Sequence, residues 1–428
     1  MLKFWPMFGR QSGGRDPVSG VDVAADGGAR RLSRRRFVCG AAAGLSALSA
    51  PGLLALPGVR TASAQAVPSD ALHRRVRAEL ERFTGWLREN GVGGYVGEVG
   101  WPDDYAGDAE RWNALAEAWY ADADAANLWV TQWATGEWWG TGYKLAPYED
   151  RRFPDDSPNG VDSANTQAAV TEAHPTTPSY LRRVNVSGAE FGAPFSTETT
   201  SGFSNRRPGR YDRAYHYDGQ ATFDFLAGRG IGLIRLQFRW ERLQPERGGP
   251  LDPTELGRRR AAVGRAMAAG LQVILNVHNF GDYYVERDGR GVRCPIGSRR
   301  LPIRFFVDLR RRLSAGFRET PGIAGYGLMN EPARMPRVGD LSPARVWEAA
   351  SQGALDVIRS GGDDRLVLVQ GYEWAGAQRW PQNHPKAWIS DPADNFRYEA
   401  HHYWDRNNSG AYTNGYEAEV ADAQQRGF

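Results

Sequence analysis

Apolar residues recur at helix and strand spacings through most of the chain. Leu72, Val76, Leu80, Phe83 and Leu87 fall on one face of a helix that Ser69 or Asp70 can cap and that runs to about Asn90. Gly91 to Gly94 break it, and Tyr95 to Val99 read as a short strand. A helix over 109–123 and a strand over 128–133 follow. The segment 148–178 is polar and carries several Pro and Asp, apart from a possible short helix near 166–173. It is the linker-like stretch of the chain.

Beyond it the pattern becomes regular. Strands are predicted at 181–186, 231–238, 271–277, 323–329, 366–369 and 396–403. Helices are predicted near 221–227, 254–269, 303–317, 343–358 and 374–380. Strands alternating with helices of this length imply a parallel sheet. With the two earlier strands the count is about eight, the number that closes an α/β TIM (β/α)8 barrel. The 428 residues suffice for one such barrel.

The first residues read as a targeting segment. Ser33-Arg34-Arg35-Arg36-Phe37-Val38 resembles a twin-arginine export signal, and an uncharged stretch from Phe37 to Val59 follows it. Ala64-Gln65-Ala66 is an A-x-A-like cleavage site, so residues 1–66 are expected to be removed and the mature chain to start near Val67. The expected location is periplasmic or secreted, with no stable membrane association after cleavage. A retained anchor is the alternative, but Pro51 and the Gly, Ala and Ser content make a poor span. Cys39 lies in the signal, which leaves Cys294 alone in a Gly- and Arg-rich loop without an obvious base beside it.

A net charge of +3, with basic residues matched by acidic ones, gives no sign of nucleic-acid binding. The 15 Trp and 17 Tyr serve apolar cores, but they also make flat platforms on which sugar rings stack.

The chemistry-bearing residues sit at strand ends. Gly327-Leu328-Met329-Asn330-Glu331-Pro332 places an amide and a carboxylate at the C-terminal end of an apolar strand, the face where TIM barrels carry their sites. Gly97-Glu98-Val99-Gly100-Trp101 repeats the design. Two such carboxylates fit glycoside hydrolysis: roughly 5–5.5 Å apart if one is a nucleophile, farther if it activates water. Arg235 stands among apolar residues and should pair with a carboxylate. Asn276-Val277-His278-Asn279 and Glu399-Ala400-His401-His402-Tyr403 add imidazoles and a phenol, and strand alternation turns His402 away from His401 and Tyr403. A metal site on His278 and His401 is conceivable, but no H-E-x-x-H or Cys/His cluster supports it. Trp133 could floor a sugar subsite, and Trp138 or Trp139 could extend it.

Together these segments resemble glycoside hydrolase family 5. Ser187 to Gly192 resemble its first strand and loop, Arg235 with Phe238, Trp240 and Gln244-Pro245 its second, and Asn276 to Asn279 its third. Met329 to Pro332 resemble its fourth, His401-His402-Tyr403 with Asp405 its sixth, Gly97 to Gly100 its seventh and Trp133 its eighth. The order departs from the family's: strands seven and eight precede strand one. The resemblance therefore implies a circularly permuted barrel, with 67–147 carrying strands seven and eight, 148–178 a new connection, and 179–428 strands one to six of the same catalytic domain. It further implies a retaining β-glycosidase with Glu98 as nucleophile and Glu331 as acid/base. Arg235 and Tyr403 would stabilise ionised Glu98, Asn330 would hold the sugar 2-hydroxyl, and His278 and His401 would bind hydroxyls or orient the carboxylates. No cofactor or metal is needed. The expected partner is a polysaccharide or oligosaccharide, with β-1,4-glucan preferred and β-mannan, β-1,3-glucan or a glycolipid as alternatives. A non-catalytic carbohydrate-binding barrel is the reading from another class.

Overall fold

A computed structural model describes residues 69–428, apart from 104–106, 154–159, 175–182 and 197–198. The twin-arginine segment and its cleavage site lie outside the described residues. Asp70 accepts a hydrogen bond from the His73 backbone and opens the first helix, and Gly91, left-handed at φ 65°, closes it. The strands in chain order are β1 (Gly94–Val99), β2 (Trp129–Thr135), β3 (Tyr148–Glu149), β4 (Ser163–Ala164), β5 (Arg183–Val186) and β6 (Leu233–Phe238). They continue as β7 (Gln272–Val277), β8 (Asp282–Arg287), β9 (Arg290–Pro295), β10 (Ile323–Gly327), β11 (Leu366–Gln370) and β12 (Phe396–His401). The helices are α1 (Ala71–Asn90), α2 (Ala109–Ala125), α3 (Thr166–Ala173), α4 (Gln220–Gly228) and α5 (Trp240–Leu243). After them come α6 (Pro253–Ala268), α7 (Ile303–Phe317), α8 (Pro343–Ser360), α9 (Trp380–Asn383) and α10 (Tyr416–Gln425).

Eight of the strands close a parallel barrel in chain order: β1, β2, β5, β6, β7, β10, β11 and β12, with β12 returning to pair with β1. This is the expected TIM-barrel architecture. Tyr95, Leu233, Ile274, Leu366 and Leu368 form a small apolar cluster separate from the main core. They come from β1, β6, β7 and β11 and share the interior-facing parity of their strands. Moving along β6, residues of the same parity are Leu233, Arg235 and Gln237, so the interior turns from apolar to polar toward the C-terminal face. The larger core joins the helices to the outer faces of the strands.

Three segments differ from the sequence expectation. The helix expected over 374–380 is absent: Glu373, Trp374 and Ala375 are all left-handed, and helical turns begin only at Ala377. The backbone there is bonded elsewhere, because Glu373 N donates to Pro332 O and Ala375 O accepts from His401 N at 2.7 Å. The Arg-rich loop carrying Cys294 is an antiparallel hairpin of β8 and β9. Its turn is Asp288-Gly289, both at positive φ, the conformation that matches strand twist. The linker-like stretch adds an unexpected pairing of β3 with β4, while α3 forms over Thr166–Ala173 where the short helix was expected.

Candidate active site

The polar interior is organised around Arg235, which is fully buried. Its guanidinium donates to Glu98 Oε1 at 3.1 Å, Asn185 Oδ1 at 2.9 Å, Asn330 Oδ1 at 2.8 Å and Glu399 Oε1 at 2.7 Å. Burial opposes its charge, and the charges of Glu399 and Glu98 outweigh that and raise its pKa. The expected carboxylate partner of Arg235 is thus two carboxylates. Glu399 also accepts from Gln370 Nε2. Gly97 and Gly327 leave the room: a Cβ on the first would overlap Glu399 Oε1 and on the second Asn276 Oδ1.

Glu98 lies near the end of β1, where the register with β12 shifts between Val96 and Glu98. It is 3% exposed. Besides Arg235 it accepts from Tyr403 Oη at 2.9 Å. Burial first, with the Glu331 charge adding, pushes its pKa up to about 7 against His401, Arg235 and Tyr403. Glu331 follows β10 and is left-handed at φ 44°, an unusual conformation for a non-glycine residue and one concentrated at functional sites. Its neighbours hold the turn, with Asn330 N donating to Val277 O at 2.6 Å and Phe280 N to Asn330 O at 3.0 Å.

His401 stands between the two glutamates. Its Nδ1 is 2.8 Å from Glu331 Oε1 and 3.3 Å from Glu98 Oε2, and its Nε2 is 3.4 Å from Glu399 Oε1. Burial alone would lower its pKa, but Glu98, Glu331 and Glu399 raise it to about 9, so the ring is an imidazolium donating from both nitrogens. One oxygen each of Glu98 and Glu331, together with a His401 nitrogen, lie within 4.8 Å of one another.

His278 is the opposite case. Burial, then the charges of Arg239, Arg235 and His401, lower it well below its usual range, so it is neutral. Its Nδ1 lies 3.1 Å from Gln237 Oε1 and donates to it, which leaves Nε2 as an acceptor. Its ring stacks on Trp133 at 5.6 Å. Trp133 is half-buried, precedes a cis peptide bond to Ala134, and donates from Nε1 to Tyr143 Oη at 2.6 Å. Tyr143 in turn stacks on Trp139 at 3.7 Å. Asn330 Oδ1 accepts from Arg235, while its Nδ2 has no partner among the described residues.

Glu98, Arg235, His278, Asn330, Glu331, His401, Tyr403 and Trp133 are therefore brought together. Trp138 stands apart, stacked on His216. His402 points the other way as expected, to Trp119 Nε1 at 3.0 Å and Glu79 Oε2 at 3.2 Å. The site also holds Glu399, Asn185, Gln237, Gln370 and Tyr143, which the sequence reading passed over. Strand parity with His401 and Tyr403 marks Glu399, and parity with Arg235 marks Gln237.

A closed parallel barrel with two carboxylates at its C-terminal face is the framework of many barrel hydrolases. The chain belongs to the cellulase family, glycosyl hydrolase family 5, whose model matches residues 185–426. Among similar curated proteins, the probable endo-β-1,4-glucanase B of Neosartorya fischeri is 29% identical over 53% of this chain and 60% of its own length. The endo-β-1,4-glucanase B of Aspergillus niger is 28% identical over 53% of this chain and 59% of its own. The chain thus spans about three-fifths of the length of these relatives. Among solved structures, Pseudomonas stutzeri endoglucanase Cel5A is 35% identical, covering 54% of this chain and 64% of that one with a TM-score of 0.45. An endo-β-1,4-glucanase from Xanthomonas axonopodis pv. citri is 32% identical, covering 56% and 72% with a TM-score of 0.44.

Proposed function

We propose that the protein is a retaining β-glycosidase that hydrolyses β-1,4-glucan, with Glu98 as nucleophile and Glu331 as acid/base. The observation that carries this is the approach of a Glu98 oxygen to a Glu331 oxygen within 4.8 Å. Retaining pairs stand about 5–5.5 Å apart, whereas inverting pairs leave room for a water. Family membership and the endo-β-1,4-glucanases among its relatives support the substrate class.

Charge balance supports the division of roles. Three carboxylates, Glu98, Glu331 and Glu399, face two cations, Arg235 and His401. One proton on a carboxylate makes the cluster neutral. Arg235 bonds Glu98 and Glu399 but not Glu331, which supports Glu98 as the carboxylate paired to a fixed cation and Glu331 as the acid/base. Glu331 protonates the leaving oxygen while Glu98 attacks the anomeric carbon. Glu331, now ionised, then takes a proton from the water that releases the sugar, and the β configuration is kept. Asn330 Nδ2 is the free donor for the 2-hydroxyl, His278 Nε2 accepts from a hydroxyl, and Trp133 floors the subsite.

The same reading makes the chain a permuted member of its family. The family match begins in β5 and runs through β12, while β1 and β2, which complete the barrel, come first in the chain. Helices α10 and α1 fill the interval between β12 and β1, and they touch through Tyr416 Oη to Asp70 Oδ2 at 2.9 Å. Residues 67–428 form one catalytic domain in this account, with 148–178 as the new connection. Export by the twin-arginine route to the periplasm or beyond rests on the motif at Ser33 to Val38.

Reducing-sugar release from carboxymethylcellulose, β-mannan and laminarin tests the reading on wild type, Glu98→Gln and Glu331→Gln. Cleavage of the β-1,4-glucan, lost in both folded variants, upholds it. Binding without cleavage by wild type would favour a carbohydrate-binding barrel instead.

A further inference from the structure

A second histidine is built in as firmly as His401, outside the catalytic cluster. His216 lies between β5 and α4, and its ring is held on four sides. Nε2 meets Glu137 Oε2 at 3.0 Å and Nδ1 meets Asp212 Oδ1 at 2.7 Å. Its faces stack on Trp138, at 5.2 Å and 11°, and on Tyr211, at 6.0 Å and 20°. Glu137 and Trp138 belong to the other side of this contact, the connection that leaves β2 just after Trp133. Glu137 is itself locked, with Oε1 accepting from Gly219 N at 2.6 Å and Thr222 Oγ1 at 2.7 Å. Among the described residues His216 is the only ring that stacks on Trp138.

We propose that His216, as an imidazolium, is a positioning residue that fixes Trp138 as a sugar platform beyond Trp133, and so sets the preference for longer chains. This rests on the glucan reading above. The flat stack of an imidazolium on an indole joins cation–π attraction to two charge-assisted hydrogen bonds. The latch adds to the bonds that Glu137 makes to Asp218 and Gly219 between the β2–β5 connection and the β5–α4 loop, and among the described residues no other ring contacts Trp138.

The charges around the ring set when the latch holds. Burial would lower the imidazole, but Glu137, Asp218 and Asp212 outweigh it and raise it to about 9. Asp218 gives an oxygen to Glu137 N at 3.3 Å and is pushed well above its usual range by burial and the Glu137 charge. Glu190 faces Asp218 from the β5 side. Arg258 stands over the Tyr211 ring at 4.4 Å, and Arg265 donates to Asp218 O at 2.9 Å. A histidine raised in this way holds its contacts below its ordinary value near 6.5 and loses them as pH rises through about 9.

Two measurements test this. Imidazole NMR of wild type against His216→Gln identifies the His216 resonance, which is expected to titrate near 9; a midpoint at or below the ordinary histidine value overturns the latch. Kinetics on cellopentaose and cellotriose follow for wild type, His216→Gln, Trp138→Ala and the double variant. His216→Gln is expected to lower the pentaose-to-triose ratio of kcat/KM by about tenfold, the scale of a desolvated cation–π contact, through KM. Wild type should show the same fall above pH 9, and the double variant should match Trp138→Ala. Equal losses on both substrates, or additive losses in the double variant, overturn the proposal. If wild type cleaves no β-1,4-glucan, the glucan reading fails separately, and the imidazole titration alone decides the latch.

Discussion

Tyr403 donates its phenol hydrogen to Glu98 Oε2 at 2.9 Å although 305 residues separate them. The bond crosses the seam where β12 closes on β1, and Glu98 O accepts from His402 N at the same seam. The proposed nucleophile is thus held by the far end of the chain. A donor to a carboxylate favours its ionised form. With Glu98 raised to about 7, mainly by burial, kcat/KM should fall as pH drops through about 7. Tyr403→Phe removes a stabiliser of the ionised form, so this acid limb should move to higher pH by about one unit. A pH profile that does not shift, or that shifts downward, contradicts the assignment.

Arg235 neutralises two buried carboxylates at once. Arg235→Met keeps the length of the side chain and removes the charge. The expected cost at pH 7 is about 3–5 kcal/mol, because Glu98 and Glu399 are left buried without their cation. Urea unfolding of the variant checks this, and a loss below about 1 kcal/mol would mean that the pair is solvated.

Glu331→Gln separates acid catalysis from nucleophilic attack. On a glucan, whose leaving group needs a proton, kcat/KM should drop by about 10²–10⁴. On a dinitrophenyl β-cellobioside the leaving group departs unprotonated, so formation of the glycosyl-enzyme should be far less affected. Pre-steady-state release of dinitrophenol gives that rate. Equal losses on both substrates would remove Glu331 from the acid role.

Gly97 within β1 and Gly327 at the end of β10 are spaces for polar side chains. In Gly97→Ala the new methyl meets Glu399, and in Gly327→Ala it meets Asn276. Each should cost about 1–3 kcal/mol and reduce activity. Gly257→Ala in α6 meets nothing within 4 Å and should be neutral or stabilising by up to about 1 kcal/mol. Thermal unfolding of the three variants distinguishes these outcomes.

The parts of the site carried on regular strands were readable in the sequence. Glu98 and Glu331 end apolar runs, and Arg235 interrupts one, so their positions follow from the pattern alone. Glu399 was equally readable, since it shares a face with His401 and Tyr403, but it hides behind the two histidines of its own motif. Tyr143 was not, because it stands in an irregular segment and reaches Trp133 through tertiary packing. The segment at Glu373 to Ala375 has helix-compatible residues, yet pairing with Pro332 and His401 overrides that preference. The hairpin of β8 and β9 carried its signal in Asp288-Gly289, flanked by Tyr283, Val285 and Val292.

The central claim is that Glu98, from the strand preceding the family's first, is the nucleophile of a two-step displacement. Incubation with a 2-deoxy-2-fluoro-β-cellobioside bearing an activated leaving group, followed by proteolysis and mass spectrometry, tests it directly. The account predicts one equivalent of the fluorosugar on Glu98, in the peptide containing Tyr95 to Trp101, with activity lost in step. A label on Glu331, or full activity with no covalent sugar, would contradict it.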